Sequence, residues 1–299
     1  MMPSEDEAFV RALLEREAGL EFQSDQSSLI ASRLVSLAHA RGLDGPAALL
    51  GQLKQEPFGD LLDAVIDELT THETSFFRDP WTFSLLERDV LPDLIARRRG
   101  ARCISIWSAG CSTGQEPYSL SMLLHEKFPE LAGWKVSILA TDVGRATIRK
   151  AREGRYSALE IKRGLSVERR RQYFTESGAE FRLCRPLRDA VTFEVSSLTG
   201  PWPPMARFDL VLMRNVLIYF SQQERARVLE RTVSRMSEDG ALLLGATETT
   251  FGVCSALEPC AIGGATVYRK RPPLGASERP ARSQTEGRGN GSASLGCRR

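Results

Sequence analysis

A loop that contains two glycines could bring the backbone close to a ligand. Residues 105–120, SIWSAGCSTGQEPYSL, have the pattern of a strand, a loop with Gly110 and Gly114, and a helix. Glycines at the carboxyl end of a first strand allow this close approach, although a tight turn uses them equally well. The loop lacks the G-x-G-x-x-G pattern of dinucleotide sites, and Glu116 beside it would repel a pyrophosphate. The residues therefore favour a ligand with an ammonium or sulfonium group.

Asp142 ends the next predicted strand, ILATD at 138–142. In nucleotide-binding α/β sheets, an acidic residue at this place hydrogen-bonds the ribose hydroxyls. Aspartate is also a favoured N-cap, and a helix is predicted directly after it. Both roles stay open from this residue alone.

A third string places polar side chains at the end of an apolar strand. FDLVLMRNVLIYF at 208–220 ends its apolar run at Arg214 and Asn215, and Tyr219 follows. The carboxyl end of a central strand faces the ligand crevice in open α/β sheets. A surface ion pair of Arg214 and simple packing of Tyr219 are the alternatives. The position favours function for Asn215 more than for Tyr219.

A fourth string, THETSFFRDP at 71–80, lies where the predicted helical part of the chain meets the predicted sheet. Pockets are frequent at such junctions between domains, so Arg78 is a candidate for a binding residue. Pairing with Asp79 would explain Arg78 equally simply. His72 fits a satisfied loop histidine, and Thr74 fits a helix cap.

The elements that must position these residues follow from the spacing of apolar residues. Helical spacing with few β-branched residues predicts about four helices in an N-terminal domain over 1–80. Downstream, short apolar runs alternate with amphipathic helical patterns, which predicts an α/β fold with a parallel sheet. The strands are predicted at 102–107, 134–142, 191–198, 208–215 and 240–247, and the helices at 115–128, 145–154 and 222–237. The Arg-rich interval 156–190 interrupts this alternation and predicts an inserted, small antiparallel β element.

Composition argues against several classes of protein. The chain has 299 residues, 42% of them hydrophobic, and no run approaches the ~20 apolar residues needed to span a bilayer. Its 6 cysteines include no C-x-x-C pair and its 3 histidines are dispersed. These features argue against a zinc ribbon, a disulfide framework and a His-rich metal site. The N-terminus MMPSEDEAF is acidic and has no apolar signal region, so we expect a cytoplasmic protein.

Charge is unevenly distributed along the chain, although the net charge is only +2. Residues 1–80 carry 6 Lys/Arg and 15 Asp/Glu, whereas residues 145–189 carry 13 Lys/Arg and 6 Asp/Glu. A locally basic stretch suggests an acidic partner, and a solvated surface would give the same count. Residues 272–299 are mainly Gly, Ser, Pro and Arg, which predicts a disordered tail.

Taken together, the four strings resemble the chemotaxis receptor methyltransferase (CheR-type) family. The resemblance runs from about residue 10 to 270. It is carried by T-x-x-T-x-F-F-R at 71–78, STGQEPYS at 112–119, ATD at 140–142 and RNVLIYF at 214–220. It implies an all-α N-terminal domain and a Rossmann-like methyltransferase domain over 81–271, with the small antiparallel β subdomain inserted at 156–190.

The resemblance also implies a set of contacts with S-adenosylmethionine and places Arg78 and Tyr219 near the transferred methyl group. The expected cofactor contacts are His72, Thr74, Arg78, Glu116, Asp142, Ser197, Leu198, Arg214 and Asn215. His72 and Ser197 stand where asparagine is common in the family. GATET at 245–249 replaces the usual G-H-S-E, so a second histidine near the end of the sheet is missing.

The implied activity is methyl transfer from S-adenosylmethionine to glutamate side chains of chemoreceptors, which leaves S-adenosylhomocysteine and forms γ-methyl esters. The implied partners are the acidic cytoplasmic helices of these receptors. We expect a monomer with no bound metal, no nucleic-acid partner and no insertion into a membrane.

Two alternatives to this activity can be tested. An RNA methyltransferase would use the Arg-rich insertion for phosphate contacts, but residues 1–80 are acidic and basic residues do not alternate with aromatic ones. A non-catalytic module that binds S-adenosylmethionine for signalling is the other alternative. The presence of Arg78, Asn215 and Tyr219 together argues against it.

Overall fold

Four helices form the N-terminal part of the chain, as the apolar spacing predicts. The computed structural model describes residues 3–21 and 26–272, so the predicted disordered tail lies outside the described residues beyond Pro272. The helices are α1 Ser4–Ala18, α2 Ser27–Ala40, α3 Pro46–Gln55 and α4 Asp60–Leu69. Their inward faces are apolar, and buried residues such as Val10, Ile30 and Leu53 form their core.

A second helical stretch follows the linker over 70–79. It consists of α5 (Pro80–Leu85), a π-helical turn (Leu86–Val90) and α6 (Leu91–Arg98). Proline has no N–H to donate to the preceding turn, and the wide turn lies directly before Pro92. Because the wide turn accommodates the missing N–H of Pro92, the stretch continues as one helix past this proline.

The remaining elements alternate between strands and helices. In chain order they are β1 Cys103–Ala109, α7 Gln115–Lys127, β2 Lys135–Asp142, α8 Arg145–Glu153, β3 Arg155–Ser157, α9 Ala158–Lys162, α10 Val167–Tyr173, β4 Phe174–Ser177, β5 Glu180–Leu183, α11 Arg185–Asp189, β6 Val191–Val195, β7 Phe208–Met213, α12 Gln222–Arg235, β8 Met236–Leu244, β9 Leu257–Ile262 and β10 Ala265–Lys270.

Seven of these strands form the main sheet, in the order β6-β2-β1-β7-β8-β10-β9. The pairs from β6 to β8 are all parallel, and β10 runs antiparallel to both of its neighbours. This confirms the predicted parallel sheet with crossover helices. One face of the sheet, including Trp107 and Val211, shares a single hydrophobic core with the four N-terminal helices. The carboxyl ends of β1, β2 and β7 therefore meet beneath those helices.

The last three strands differ from the prediction. Strand β8 begins at Met236 and not at residue 240 as predicted. The prediction missed its first residues because SEDG over 237–240 is polar and does not show the apolar pattern of a strand. Strands β9 and β10 were not predicted. β9 is an edge strand that contains Pro259 and buries only Leu257, so its sequence lacks the apolar run of a central strand.

The insertion forms a separate three-stranded antiparallel sheet in the order β3-β5-β4, which confirms the small antiparallel element. It begins at Arg155 and also contains three short helices that the sequence analysis did not predict. Its core packs on the linker, because the Phe76 ring lies edge-on to Tyr156 and Phe174, with ring centroids 5.0 and 5.6 Å away. The insertion thereby supports the segment that carries Arg78.

Replacing Gly164 with alanine should strongly destabilise the contact between the insertion and the linker. Gly164 has φ +93°, and a Cβ there would lie 1.7 Å from the Phe76 carbonyl oxygen. Because both the backbone conformation and the space exclude a side chain, we expect a loss of about 3 kcal/mol or more, measured by urea denaturation. The control is Gly178→Ala, where φ is +66° but nothing lies within 4 Å. Equal losses in the two variants would contradict the packing argument.

Among the described residues, no helix combines the length and the apolar character that crossing a membrane requires.

Candidate active site

A cleft lies at the carboxyl ends of β1, β2 and β7, where the sheet meets the N-terminal helices and the linker. It encloses about 830 Å³ of empty space, including its open mouth. The predicted site residues that line it are His72, Thr74, Arg78, Glu116, Asp142, Leu198, Arg214, Asn215 and Tyr219. The structure thus brings together residues from five separate segments of the chain. Ser197 is not among the lining residues, and its neighbour Ser196 takes that place.

Asp142 holds the two loops that border the cleft. It is 8% exposed, and its carboxylate accepts hydrogen bonds from the backbone N–H of Ser112 at 2.8 Å and of Gly144 at 3.1 Å. Burial raises the pKa of this carboxyl above its ordinary value of 3.8, while His72 and the two N–H groups lower it. The N-cap role is not what is seen, since Gly144 is the residue before α8. Each Asp142 oxygen binds one amide and can accept a further donor from a ligand.

Glu116, Arg214 and Asp79 form a connected network of charges beside the first loop. Arg214 donates to the Glu116 carboxylate at 2.9 Å and to the Asp79 carboxylate at 2.6 Å. The Arg214 side chain is only 2% exposed, so its ion pair with Glu116 is buried, whereas its other partner, Asp79, is 44% exposed. Ser108 donates a further hydrogen bond to Glu116 at 2.8 Å. With two carboxylates and one guanidinium, the network keeps one negative charge.

Arg78 is not paired with Asp79, because Asp79 binds Arg214 instead. Arg78 donates to the backbone carbonyl of Glu73 at 2.9 Å. Within the described part of the chain, no carboxylate lies within salt-bridge distance of the Arg78 guanidinium. The guanidinium therefore lines the cleft with donors that an acidic group could use.

The turn that carries Asn215 is held by Glu248, a residue that the sequence analysis missed. Asn215 has a left-handed backbone, with φ +58°, which is costly for a residue other than glycine. The Glu248 carboxylate accepts four backbone N–H groups, from Gly245, Asn215, Val216 and Leu217, at 2.7–2.9 Å. An acidic residue shortly after the strand β8, in GATET, was the available signal.

Tyr219 and Leu198 line the cleft from two further segments. Tyr219 ends a short 3₁₀ turn over Leu217–Tyr219, and its carbonyl accepts the N–H of Glu21 beyond α1. Ser197 has a local role, because its hydroxyl accepts the N–H groups of Thr199 and Gly200 at 3.3 Å each. It therefore shapes the turn that presents Leu198.

Two domain models match nearly the whole described chain. The all-alpha domain of CheR methyltransferases matches residues 5–70, and the SAM-binding domain of CheR methyltransferases matches residues 72–262. The chain belongs to the CheR methyltransferase family. Family membership agrees with the resemblance seen in the sequence and with the fold, an all-α segment followed by a Rossmann-like methyltransferase domain.

Curated relatives in this CheR family are similar over most of their length. The chain is 36% identical to the chemotaxis protein methyltransferase Cher2 of Pseudomonas putida, over 81% of this chain and 90% of the relative. It is 38% identical to chemotaxis protein methyltransferase 1 of Pseudomonas aeruginosa, over 80% and 88%. It is 34% identical to the chemotaxis protein methyltransferase of Vibrio parahaemolyticus, over 86% and 93%.

The donor set of the cleft fits S-adenosylmethionine, the cofactor of a CheR methyltransferase. This molecule carries an ammonium, a sulfonium, a carboxylate and two ribose hydroxyls. The negative charges of Glu116 and Asp142 suit the cations and the hydroxyl donors. The Arg214 Nε is buried without a partner among the described residues, so it has a donor free for an anionic group. The two carboxylates would repel a pyrophosphate, which agrees with the preference for a cationic ligand.

Proposed function

We propose that this protein transfers a methyl group from S-adenosylmethionine to glutamate side chains of chemoreceptors and forms γ-methyl esters. The observation that carries the proposal is the convergence of Asp142, Glu116 and Arg78 on one cleft of a CheR methyltransferase fold. The names of the curated relatives support the chemoreceptor as the substrate. No described feature favours RNA or a non-catalytic role.

The chemistry asks little of the protein beyond binding and positioning. S-adenosylmethionine supplies, when bound, a methyl group on a positively charged sulfur. The acceptor glutamate is ionised near neutral pH, since its ordinary pKa is about 4.3. The carboxylate oxygen forms the new C–O bond as the C–S bond breaks, and no proton moves. The site therefore needs no general base, and its task is to align the acceptor and exclude water.

In this scheme the carboxylates and the arginines have separate roles. Asp142 binds ribose hydroxyls and Glu116 binds the ammonium of the methionine part. Arg78 orients the acceptor carboxylate with its planar guanidinium. Because the acceptor loses its charge in the transition state, a very tight ion pair would stabilise the ground state more. Tyr219 lines the same cleft and limits the position of the acceptor.

Replacing Arg78 with alanine should lower turnover much more than cofactor affinity. We expect kcat to fall about 100-fold, a loss typical of misplaced reactants, and the Kd of S-adenosylmethionine to stay within about threefold. Methyl transfer assays and calorimetry measure the two quantities. Arg88→Ala, an exposed arginine of the same charge, is the control and should change neither. Equal losses in turnover and affinity would assign Arg78 to cofactor binding instead.

The charge pattern supports an acidic helical segment as the partner. The insertion, which packs on the linker, carries exposed cations such as Lys162 and Arg171, and its Arg163 pairs at 2.7 Å with Glu73, a residue that lines the cleft. Such a surface attracts an acidic partner and makes the association rate depend on ionic strength. We propose that the protein acts on the receptor as a monomer in the cytoplasm.

The deciding experiment is incubation of the full chain with methyl-labelled S-adenosylmethionine and a chemoreceptor cytoplasmic fragment. Mild base should release the label as methanol, because γ-methyl esters hydrolyse under these conditions. A parallel incubation with RNA should take up no label. Label in RNA, or the absence of base-labile label with every receptor fragment offered, would overturn the proposed function.

A further inference from the structure

The helix α8 has no capping side chain of its own. It starts directly after Gly144, and its first turn has no acidic residue. The first N–H groups of a helix have no partner within the helix. Here a carboxylate from another segment binds them: Asp67 on α4 accepts the N–H of Ala146 at 2.9 Å and of Thr147 at 3.3 Å. Asp67 also accepts the Thr147 hydroxyl at 3.1 Å.

The contact of Asp67 with α8 lies close in sequence to Asp142, the carboxylate that lines the cleft. Asp142 binds Gly144, and Asp67 binds the two residues that begin the next turn. A Cβ on Gly144 would lie 2.4 Å from the Asp67 carboxylate, so glycine permits the close approach. The backbone over 142–147 is therefore held at one end from inside the cleft and at the other end from α4.

The linker joins the same cluster. The His72 Nε2 lies 3.1 Å from the Asp67 carbonyl oxygen and 3.2 Å from the Thr147 hydroxyl. Ser112, whose N–H binds Asp142, donates its hydroxyl to the His72 carbonyl at 3.1 Å. Asp67 and Asp142 are thus connected through both the α8 N-terminus and the linker.

We propose that Asp67 is a positioning residue for cofactor binding, which fixes the Asp142 loop from the N-terminal helices by capping α8. This inference rests on the proposed role of Asp142 in the cleft. It makes the N-terminal helices part of the cofactor site, because a movement of α4 would loosen the segment over 142–147. A partner that displaces α4 would therefore change cofactor affinity.

The test compares two carboxylates on the same helix. Asp67→Ala should weaken S-adenosylmethionine binding by about tenfold, the loss expected for a charged hydrogen bond. Asp63→Ala is the matched control, since Asp63 pairs with Arg145 of α8 at 2.8 Å but contacts no amide of its first turn. We expect less than a twofold change for this exposed pair. Calorimetry on the full chain, well below the melting temperature of each variant, measures the Kd.

A second variant separates positioning from folding. An asparagine amide keeps one acceptor oxygen for the N–H groups of Ala146 and Thr147, so Asp67→Asn should fold and should weaken cofactor binding less than Asp67→Ala at neutral pH. The charge of Asp67 raises the pKa of Asp142, whereas His72 lowers it, and the buried Cys111 thiol is the other titratable neighbour. Loss of the Asp67 charge should therefore move the acid-side fall in affinity to lower pH. Because this shift reports only the charge of Asp67, positioning is tested at neutral pH, where Asp67→Ala should lose much more cofactor affinity than Asp67→Asn.

The outcomes distinguish this inference from the proposed function. If the wild-type protein binds S-adenosylmethionine and methylates a receptor fragment but Asp67→Ala keeps its affinity, the inference alone fails. Equal weakening by Asp63→Ala would also overturn it, because the effect would then belong to the α4–α8 contact in general. If the wild-type protein neither binds the cofactor nor transfers methyl groups, the proposed function fails first.

Discussion

Replacing Asp142 with alanine will weaken binding of S-adenosylmethionine by about 100-fold. A hydrogen bond to a charged group contributes about 1.5–3 kcal/mol, and each 1.4 kcal/mol is about a tenfold change in Kd. The Asp142 carboxylate also holds Ser112 and Gly144, so the variant loses both a ligand contact and the shape of the loops. Isothermal titration calorimetry with S-adenosylmethionine and S-adenosylhomocysteine measures the loss.

A second variant, Asp142→Asn, separates the effect of Asp142 on folding from its effect on binding. Burial raises the pKa of Asp142. The ionised carboxylate therefore destabilises the folded state at pH values above this raised pKa. This cost disappears only as the pH falls through the raised pKa, so at neutral pH the wild-type protein bears it. Asp142→Asn removes this cost but places an NH₂ group against one of the two N–H donors, Ser112 or Gly144, so the melting temperature of the cofactor-free protein should fall less than in Asp142→Ala.

The control for Asp142 is another buried aspartate of the same sheet. Asp209 lies at the amino end of β7, accepts the N–H of Ser105 at 2.9 Å and pairs with Arg98 at 2.7 Å. Asp209→Asn should lower the melting temperature and leave the Kd of the cofactor unchanged. Unchanged affinity in Asp142→Ala would remove Asp142 from the cofactor site.

The parts of the fold with a strong local pattern could be predicted from the sequence. Strand β7, which is buried along its full length, appears as a continuous apolar run, and the amphipathic helices appear through their spacing. The break in this alternation indicated an insertion, and the small antiparallel sheet β3-β5-β4 lies in that part of the chain. Strand β9 could not be predicted, because an edge strand with a proline owes its structure to pairing with β10, which the local sequence does not encode.

The same distinction applies to the cleft. Asp142, Arg214 and Asn215 could be found because they follow apolar strands, where the chain must turn at the edge of the sheet. The partner of Arg214 could not be assigned, since Asp79 and Glu116 come from segments that are distant in sequence. Asp67 and Glu248 were missed for a related reason. Their carboxylates bind backbone N–H groups, and a sequence does not show which amides lack a partner.

Replacing Glu248 with alanine will lower both the stability and the activity of the protein. Four backbone N–H groups lose their acceptor, and the strained Asn215 loses the contact that holds it. We expect a loss of about 2–4 kcal/mol, since the carboxylate is half-buried and partly screened. Turnover should fall about 10- to 100-fold in the protein that stays folded, because Asn215 and Tyr219 leave their positions at the cleft.

Two variants show whether this loss comes from the contacts of Glu248. Glu248→Gln keeps one acceptor oxygen but places an NH₂ group against two of the four N–H donors, so its loss should lie between those of wild type and alanine. Glu238 is the control, because it lies on strand β8, which leads into the turn with Glu248, is 76% exposed and pairs, among the described residues, only with Arg207 and Lys270 on the surface. Its replacement should change stability by less than about 0.5 kcal/mol and leave turnover unchanged. If Glu248→Ala matched Glu238→Ala in urea denaturation and in methyl transfer, the strained turn would be stable without its acceptor, and Glu248 would have no part in shaping the cleft.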